Sequence, residues 1–208
     1  MEQIEQEQPL AEIPQSGGEA VVENDPTQPT RLQTFMIELL ETVVLALVMF
    51  AIINFTTARI RVDGPSMEPT FAHNNYVIVN RMSYVFGEID RGDVIVFHFP
   101  RNPEEDYIKR VIALAGDTIM VQAGVVYVNG AAIEEPYIKN KNRRDEAEIR
   151  VPDGNVYVMG DNRNNSSDSR SWGPLPVESI LGKAVFIYWP FIDIDTVDHA
   201  SVMTAVPE

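Results

Sequence analysis

The sequence contains no cysteine, which excludes several kinds of chemistry at once. Disulfide bonds, thiolate metal sites and a cysteine nucleophile are all ruled out. The chain of 208 residues is nevertheless long enough to bury a full apolar core without covalent cross-links. Its stability must therefore come from packing, hydrogen bonds and ion pairs.

Positive charge is scarce, with 16 Lys and Arg against 31 Asp and Glu and a net charge of −15. Proteins that bind nucleic acids cluster basic residues to neutralise phosphates, so no nucleic-acid partner is expected. Residues 1–30 carry no Lys or Arg and are rich in Glu, Gln and Pro. Such a segment buries too little apolar surface to offset the entropy of ordering. We predict an acidic, disordered tail over residues 1–33.

One long apolar run follows, from Phe35 to Phe55, although it is uninterrupted only between Thr42 and Ile53. The whole run is long enough to cross a bilayer, while its central part alone would also fit a buried core helix or the core of a signal peptide. Glu38 and Glu41 lie in the first two turns, where their charges can reach headgroups at modest cost. A cleavable signal peptide would begin short and basic. We therefore predict a transmembrane anchor helix over residues 34–57.

The rest of the chain, residues 58–208, has the pattern of a β-rich domain. Short β-branched and aromatic runs alternate with turn signals such as Asn129-Gly130 and residues 152–154. The polar segment 134–150 is interpreted as a loop or an excursion from the sheet. The predicted strands cover residues 76–80, 93–99, 107–112, 118–121, 125–128, 155–158 and 184–189.

A serine stands between two prolines in Gly64-Pro65-Ser66-Met67-Glu68-Pro69. Proline fixes its own backbone angle and restricts the residue before it, so Ser66 should be held in a set orientation. Its amide would be free to face a substrate carbonyl. Ser66 is therefore a candidate nucleophile. A plain surface turn is the alternative, because Gly, Pro and Ser dominate turns for other reasons.

Lys109 lies in a predicted strand with Tyr107 and Val111 on the same face, while Arg110 points to the other face. A lysine amine that is desolvated among apolar neighbours loses its preference for the charged form, so its pKa falls and it can accept a proton. A guanidinium effectively never loses its proton, which makes Arg110 a poorer base. The alternative for Lys109 is a charge that protects an edge strand from aggregation.

The segment 160–174 is dense in small polar and charged side chains. Such a loop can tie itself together through Asx turns and ion pairs and so hold a neighbouring site rigid. A calcium-binding loop is the alternative, but the glycine and terminal glutamate of an EF-hand are not in place.

Histidine is also scarce, with three in the chain. His98 lies in a predicted strand and leaves a Ser-His-Asp triad open, because geometry rather than sequence order defines a triad. No His-Glu-x-x-His or comparable spacing is present, so we expect neither a catalytic metal nor another cofactor.

Four segments, taken in order behind the apolar run, resemble the motifs of the type I signal peptidases, the bacterial leader peptidases. The resemblance extends from the anchor through nearly all of residues 66–190. It implies a mainly β fold, in which an N-terminal transmembrane helix precedes a coiled, largely antiparallel β-sheet catalytic domain. The four segments are Ser-Met-Glu-Pro-Thr at 66–70, residues 91–97 with Pro100, residues 107–117, and residues 160–170 with Trp172-Gly173.

Transferred by position, the resemblance implies that Ser66 attacks the scissile carbonyl and that uncharged Lys109 takes its proton. An acyl-enzyme would follow, with the Ser66 amide in the oxyanion hole. Ser166 would hydrogen-bond Lys109 and orient its amine. Gly64 occupies the position from which some members offer a serine hydroxyl to the oxyanion, so the hole here must depend more on backbone amides.

The resemblance also implies two structural ion pairs that hold the site together, Arg110 with Asp161 and Asp168 with Arg170. Ala115 stands where many members have proline. That departure should alter one turn and little else.

The implied substrates are secreted preproteins, cut after small residues at the last and third-last positions of their signal peptides. The implied location is the cell membrane, single-pass, close to the secretion translocon, with an extracytoplasmic catalytic domain. The flanking charges, Arg31 before the run and Arg59 and Arg61 after it, weakly favour the opposite orientation. We give the resemblance more weight than a difference of one or two arginines.

Two other functions remain open at this point. Self-cleaving repressor relatives are also Ser/Lys proteases, but they lack an anchor and carry a DNA-binding region. An inactive, membrane-anchored β-domain that binds signal sequences is the second, and replacing Ser66 would then change affinity only.

Overall fold

The computed structural model describes residues 30–141 and 143–199, so most of the predicted tail lies outside the described residues. The helices are α1 Arg31–Thr56, α2 Ser83–Phe86 and α3 Ser169–Trp172. The strands are β1 Thr57–Arg61, β2 Tyr76–Asn80, β3 Val94–Phe99, β4 Asn102–Ala113, β5 Thr118–Gln122, β6 Val125–Val128, β7 Ala131–Ala132, β8 Glu146–Arg150, β9 Asn155–Met159, β10 Leu175–Pro176, β11 Ile180–Trp189 and β12 Asp195–Thr196.

The α1 helix is 26 residues long and none of its side chains is buried. Its mean hydropathy reaches 2.4, so by length and composition it could cross a membrane. It begins three residues before the predicted anchor because Thr30 and Gln33 form a reciprocal cap: Gln33 N donates to Thr30 Oγ1, and Thr30 N donates to Gln33 Oε1. The chain therefore enters the helix at Arg31.

Two antiparallel sheets make up the rest of the described chain. The larger has the order β1-β2-β11-β3-β4-β9-β10, with β12 paired to β11, and the smaller has the order β7-β6-β5-β8. Every strand pairing is antiparallel. The predicted fold class, a mainly β protein with an N-terminal apolar helix, is confirmed.

Alternation along the strands creates the core of the larger sheet. In β2, Val77 and Val79 are fully buried, whereas Tyr76 and Ile78 are partly exposed. The buried residues form one cluster with the side chains that follow Ser66 in sequence. Burying a large apolar side chain contributes roughly 1.5–3 kcal/mol. The packing that stabilises this sheet therefore also fixes the segment that carries Ser66.

Five of the strands were not predicted, namely β1, β7, β8, β10 and β12. Thr57–Arg61 pairs with β2, and Glu146–Arg150 pairs with β5 inside the segment interpreted as a loop or an excursion. The latter is an edge strand with exposed, charged side chains, so it has no apolar alternation to detect. The predicted Asn129-Gly130 turn is present, and both residues have the positive φ of a type I′ turn, 53° and 80°.

Candidate active site

The turn that carries Ser66 is held by buried side chains on its C-terminal side. Met67 and Phe71 are fully buried, and Phe71 N donates to Met67 O at 2.9 Å. On the N-terminal side, Gly64 has a φ of 89°, in the left-handed region that glycine adopts without strain. The serine is thus presented between an anchored helical turn and a glycine bend.

Asn162, from the loop after β9, holds the backbone of the same turn. Its amide donates to Ser66 O, and its Nδ2 donates to Pro65 O, both at 3.1 Å. The two carbonyls on either side of the Ser66 amide group are therefore fixed from one residue. Sequence reasoning assigned Asn162 no role of its own, although it lies within a recognised motif.

Lys109 reaches the serine from β4. Its Nζ lies 2.9 Å from Ser66 Oγ and donates to Ile108 O at 2.8 Å. The residue is only 4% exposed. Burial lowers the pKa of Lys109 to about 8, against the opposing effect of the negative charges on Asp168 and Asp161. The structure brings together the two residues predicted as nucleophile and base, and at this pKa about a tenth of the amine is uncharged at pH 7.

Arg110 points to the opposite side of the same strand and is completely paired. Its guanidinium makes a bidentate contact with Asp161, with Nε 2.9 Å from Oδ1 and Nη2 2.8 Å from Oδ2, and both side chains are fully buried. Nη1 donates to the carbonyls of Gly92 and Asp198, each at 2.9 Å. Thr70 Oγ1 donates to Asp161 Oδ2 at 2.5 Å. The pair therefore ties β4 to the loop after β9 and to the end of the serine turn.

The second predicted ion pair is also formed. Arg170 Nε lies 2.8 Å from Asp168 Oδ1, and Nη2 lies 2.6 Å from Oδ2. Gly160 N donates to Asp168 Oδ2 at 2.9 Å. Burial alone would raise the pKa of Asp168, but the hydrogen bonds and charge of Arg170 outweigh burial and lower it. Ionised Asp168 thus closes the loop 160–170 on itself.

The hydrogen bond expected between Ser166 and Lys109 is not among the contacts that Lys109 Nζ makes in this structure, and the orienting role of Ser166 stays a prediction. The Ser166 Oγ is buried, and the Ser166 side chain acts on Asp168, where it helps to lower the pKa of that carboxyl. The lysine amine donates instead to Ile108 O, a carbonyl of its own strand. Ser166 packs against Gly160, where an added Cβ would lie 2.3 Å from Ser166 Oγ and 2.5 Å from Ser66 O. Its observed contact is with the glycine that borders the nucleophile.

A cleft of about 480 Å³ opens in front of Ser66 and Lys109. One wall is the segment 60–65, and the other is the segment 105–108 of β4, with Ser167 also at its lining. A groove between two chain segments, with Ser66 and Lys109 among its lining residues, can accept an extended peptide.

The histidines take no part in this arrangement. His98 pairs with exposed Asp106 at 2.8 Å, and His73 Nδ1 accepts from Gly64 N at 3.0 Å. His199 Nδ1 accepts from Val94 N at 3.2 Å. The structure therefore does not assemble the His98 triad that the sequence left open. Among residues 30–141 and 143–199, no group of three or more His, Asp or Glu side chains could hold a metal ion.

Comparison with known proteins gives the class first: this chain is a serine endopeptidase. The family described as "Signal peptidase, peptidase S26" matches residues 36–189, and the chain belongs to that family. Membership supports removal of signal peptides by a serine protease. The resemblance inferred from the four sequence motifs is confirmed.

Two curated relatives agree with this assignment. Signal peptidase I from Bacillus caldolyticus is 42% identical over 151 residues, which cover 66% of this chain and 82% of that protein. Probable signal peptidase I-1 from Synechocystis is 40% identical over 164 residues, 75% of this chain and 84% of that protein. A crystal structure of a signal peptidase I from Enterococcus faecalis covers 46% of this chain and 96% of its own, at 30% identity and a TM-score of 0.43. With the apolar helix, the curated relatives indicate a membrane-anchored protein.

Proposed function

We propose that this protein removes N-terminal signal peptides from secreted preproteins, cutting after small residues, with Ser66 as nucleophile and Lys109 as general base. The observation that carries the proposal is the contact of 2.9 Å between Lys109 Nζ and Ser66 Oγ, made by a lysine that burial holds at a pKa of about 8. A serine hydroxyl needs an adjacent base to become a nucleophile, and an uncharged amine meets that need.

The reaction begins when Ser66 Oγ attacks the scissile carbonyl carbon and its proton passes to Lys109 Nζ. The resulting ammonium then gives that proton to the leaving amine as the carbon–nitrogen bond breaks, which leaves an ester on Ser66. Water attacks the ester, again losing a proton to Lys109, and the proton returns to the serine oxygen as the acyl group departs. One lysine thus acts as base and acid in both halves.

The oxyanion would be held by backbone, with the Ser66 amide as one donor. Gly64 offers no hydroxyl, and its amide already donates to His73 Nδ1. The contacts of Asn162 with the Ser66 and Pro65 carbonyls support this role, because they fix the peptide planes beside the amide.

The substrate would bind as an added strand at the edge of β4. Val111 N bonds Asp93 O across the ladder to β3, so by alternation the backbone groups of Asp106 and Ile108 face away from β3. Both residues line the cleft. An extended peptide could therefore form main-chain hydrogen bonds there while its scissile carbonyl meets Ser66.

The apolar helix would anchor the enzyme in the cell membrane, single-pass, with the catalytic domain on the extracytoplasmic face and close to the translocon. Thr56 ends the helix and Ser66 lies ten residues further on. That length of chain spans at most about 35 Å, which suits a substrate whose own apolar segment is still in the bilayer.

Cleavage of a preprotein by the full-length protein in detergent tests the proposal. Wild type should cut and Ser66→Ala and Lys109→Ala should not, whereas Ser171→Ala, at an exposed serine of α3, should match wild type. Sequencing the new N-terminus should locate the cut after a small-x-small sequence. Turnover by both the Ser66 and Lys109 variants would eliminate the dyad. Binding without turnover by wild type would favour the binding-domain alternative.

The pH dependence of the same reaction tests the base. Because Lys109 must be uncharged, kcat/KM should fall about tenfold for each pH unit below about 8 and level off above it. A flat profile between pH 6 and pH 9 would contradict the assigned role of Lys109.

A further inference from the structure

We propose that Glu135 and Tyr137, contributed by the segment 133–141 of the smaller sheet, are positioning residues for the catalytic serine. They act on the loop 160–170 through Arg163, and the inference rests on the proposed role of Ser66. The segment 133–141 follows β7 and belongs to the part of the chain that sequence reasoning interpreted as a loop or an excursion.

The first step is a buried ion pair between the two regions. The Arg163 side chain is fully buried, and the Glu135 side chain is 6% exposed. Arg163 Nη1 donates to Glu135 Oε2 at 2.8 Å, and Nη2 donates to Oε1. Burial alone would lower the pKa of Arg163, but the charge and hydrogen bonds of Glu135 raise it. Burying two charges is costly even when they pair, so such a pair is weak evidence of a purely stabilising role.

The second step leads from Arg163 to the nucleophile. Arg163 Nε donates to Gly160 O at 3.0 Å. Gly160 in turn has no spare room, because its Cα faces Ser66 O and the Ser166 side chain closely enough to exclude a Cβ. Two residues further on, Asn162 holds the Ser66 carbonyl. A shift of the Arg163 guanidinium would therefore be passed to the backbone of the serine turn.

The third step involves Tyr137, whose ring lies beside the guanidinium groups of Arg110 and Arg163. The ring centroid is 4.1 Å from Arg110 Cζ and 5.9 Å from Arg163 Cζ. The hydroxyl donates to Glu135 Oε1 at 3.1 Å. Cations over an aromatic face are attracted by its quadrupole, more strongly when desolvated. One short segment thus supports Arg163 directly and contacts the arginine that neighbours Lys109.

The smaller sheet provides the foundation for this support. Ile133 and Tyr137 belong to its buried cluster together with Val126 and Val128 of β6. Asn164 Nδ2, in the loop 160–170, also donates to Lys141 O at 3.0 Å. A continuous series of contacts thus connects the buried core of the smaller sheet with the turn that carries Ser66. The smaller sheet therefore helps to position the catalytic serine.

Peptide cleavage by the full-length protein in detergent tests the proposal, with Glu135→Gln compared with Glu134→Gln. Glu134 is the exposed neighbour, so its variant controls for loss of a negative charge. Glu135→Gln should lower kcat by about 10- to 100-fold, the loss typical of a small misplacement of reacting groups, and leave KM nearly unchanged. A kcat equal to that of Glu134→Gln would overturn the proposal, and so would a rise in KM alone.

A second variant separates positioning from stability. In Glu135→Met with Arg163→Met no unpaired charge is left buried, so the melting temperature should exceed that of either single variant. The contact from Arg163 to Gly160 O is still absent, and kcat should remain low. Recovery of kcat together with the melting temperature would show that the pair is only structural. The Ser66→Ala protein is measured alongside. If Ser66 is not the nucleophile, this protein will still cut, whereas it will not cut if the Glu135 inference alone is wrong.

Discussion

Two neighbouring cations of β4 have opposite surroundings. Lys109 and Arg110 are both buried, yet the lysine amine contacts a hydroxyl and a carbonyl, whereas the arginine has a bidentate carboxylate, Asp161. Strand alternation is the whole geometric difference between them. The comparison shows how one strand can carry a reactive group and a structural group side by side: burial without a bound carboxylate favours the uncharged amine, and burial with one keeps the charge.

The largest effect on the contrast between Lys109 and Arg110 is expected when the reactive lysine is itself replaced by arginine. Lys109→Arg keeps the positive charge, but a guanidinium does not lose its proton, so no base remains. We expect kcat to fall by about 10²- to 10⁴-fold, the usual contribution of a general base. Preprotein cleavage measures the loss.

Lys139→Arg is the matched control, because the Lys139 side chain is exposed and takes part in none of the contacts proposed for the segment 133–141, and its activity should equal that of wild type. Substantial turnover by Lys109→Arg would mean that residue 109 is not the base and that activity requires only a positive charge there.

The second prediction removes the structural cation. Arg110→Met leaves Asp161 buried without its partner and removes the hydrogen bonds to Gly92 O and Asp198 O. We expect a loss of about 3–5 kcal/mol in the free energy of unfolding, the usual cost of an uncompensated buried charge. Thermal unfolding of the full chain in detergent measures it.

Arg59→Met, at an exposed position of β1, should change stability little and serves as the control. A loss in Arg110→Met no larger than in Arg59→Met would show that Asp161 finds another partner or takes up a proton.

The third prediction concerns the free energy of unfolding that the protein loses by burying Lys109. The folded pKa of Lys109, about 8, lies below its ordinary value of 10.5, so folding disfavours the ammonium. Wild type therefore loses stability as pH falls from about 10.5 to about 8, and the loss is complete below that window. Lys109→Met should be inactive yet more stable by about 1–3 kcal/mol at pH 7, and the difference should shrink above pH 8. Melting temperatures at pH 7 and pH 10 provide the test, and a variant less stable than wild type at both would contradict it.

Local pattern was sufficient to predict the parts of the site that lie on single segments. Alternation assigned Lys109 and Arg110 to opposite faces, and the proline-flanked turn marked Ser66. The β-branched runs located five of the eight strands of the larger sheet and two of the four strands of the smaller one. These features depend on neighbours in sequence, so they are written into short stretches of it.

Contacts between distant segments could not be predicted in the same way. The segment containing Glu135 has no motif, and its pairing with Arg163 depends on how the smaller sheet packs. The contact of the Lys109 amine with Ile108 O could not be predicted either, since it depends on the rotamer that the lysine takes once it is buried. The exposed strand Glu146–Arg150 was missed because an edge strand with charged side chains has no apolar period.

Gly160 also bears on how the protein can change over generations. Every other amino acid carries at least a Cβ, and at this position that atom would meet Ser66 O and the Ser166 side chain. Any substitution at residue 160 therefore has to displace the Ser66 carbonyl or the Ser166 side chain, so no single amino-acid change there is expected to be neutral. Position 160 is therefore expected to stay glycine in every lineage that keeps the serine turn in its present place.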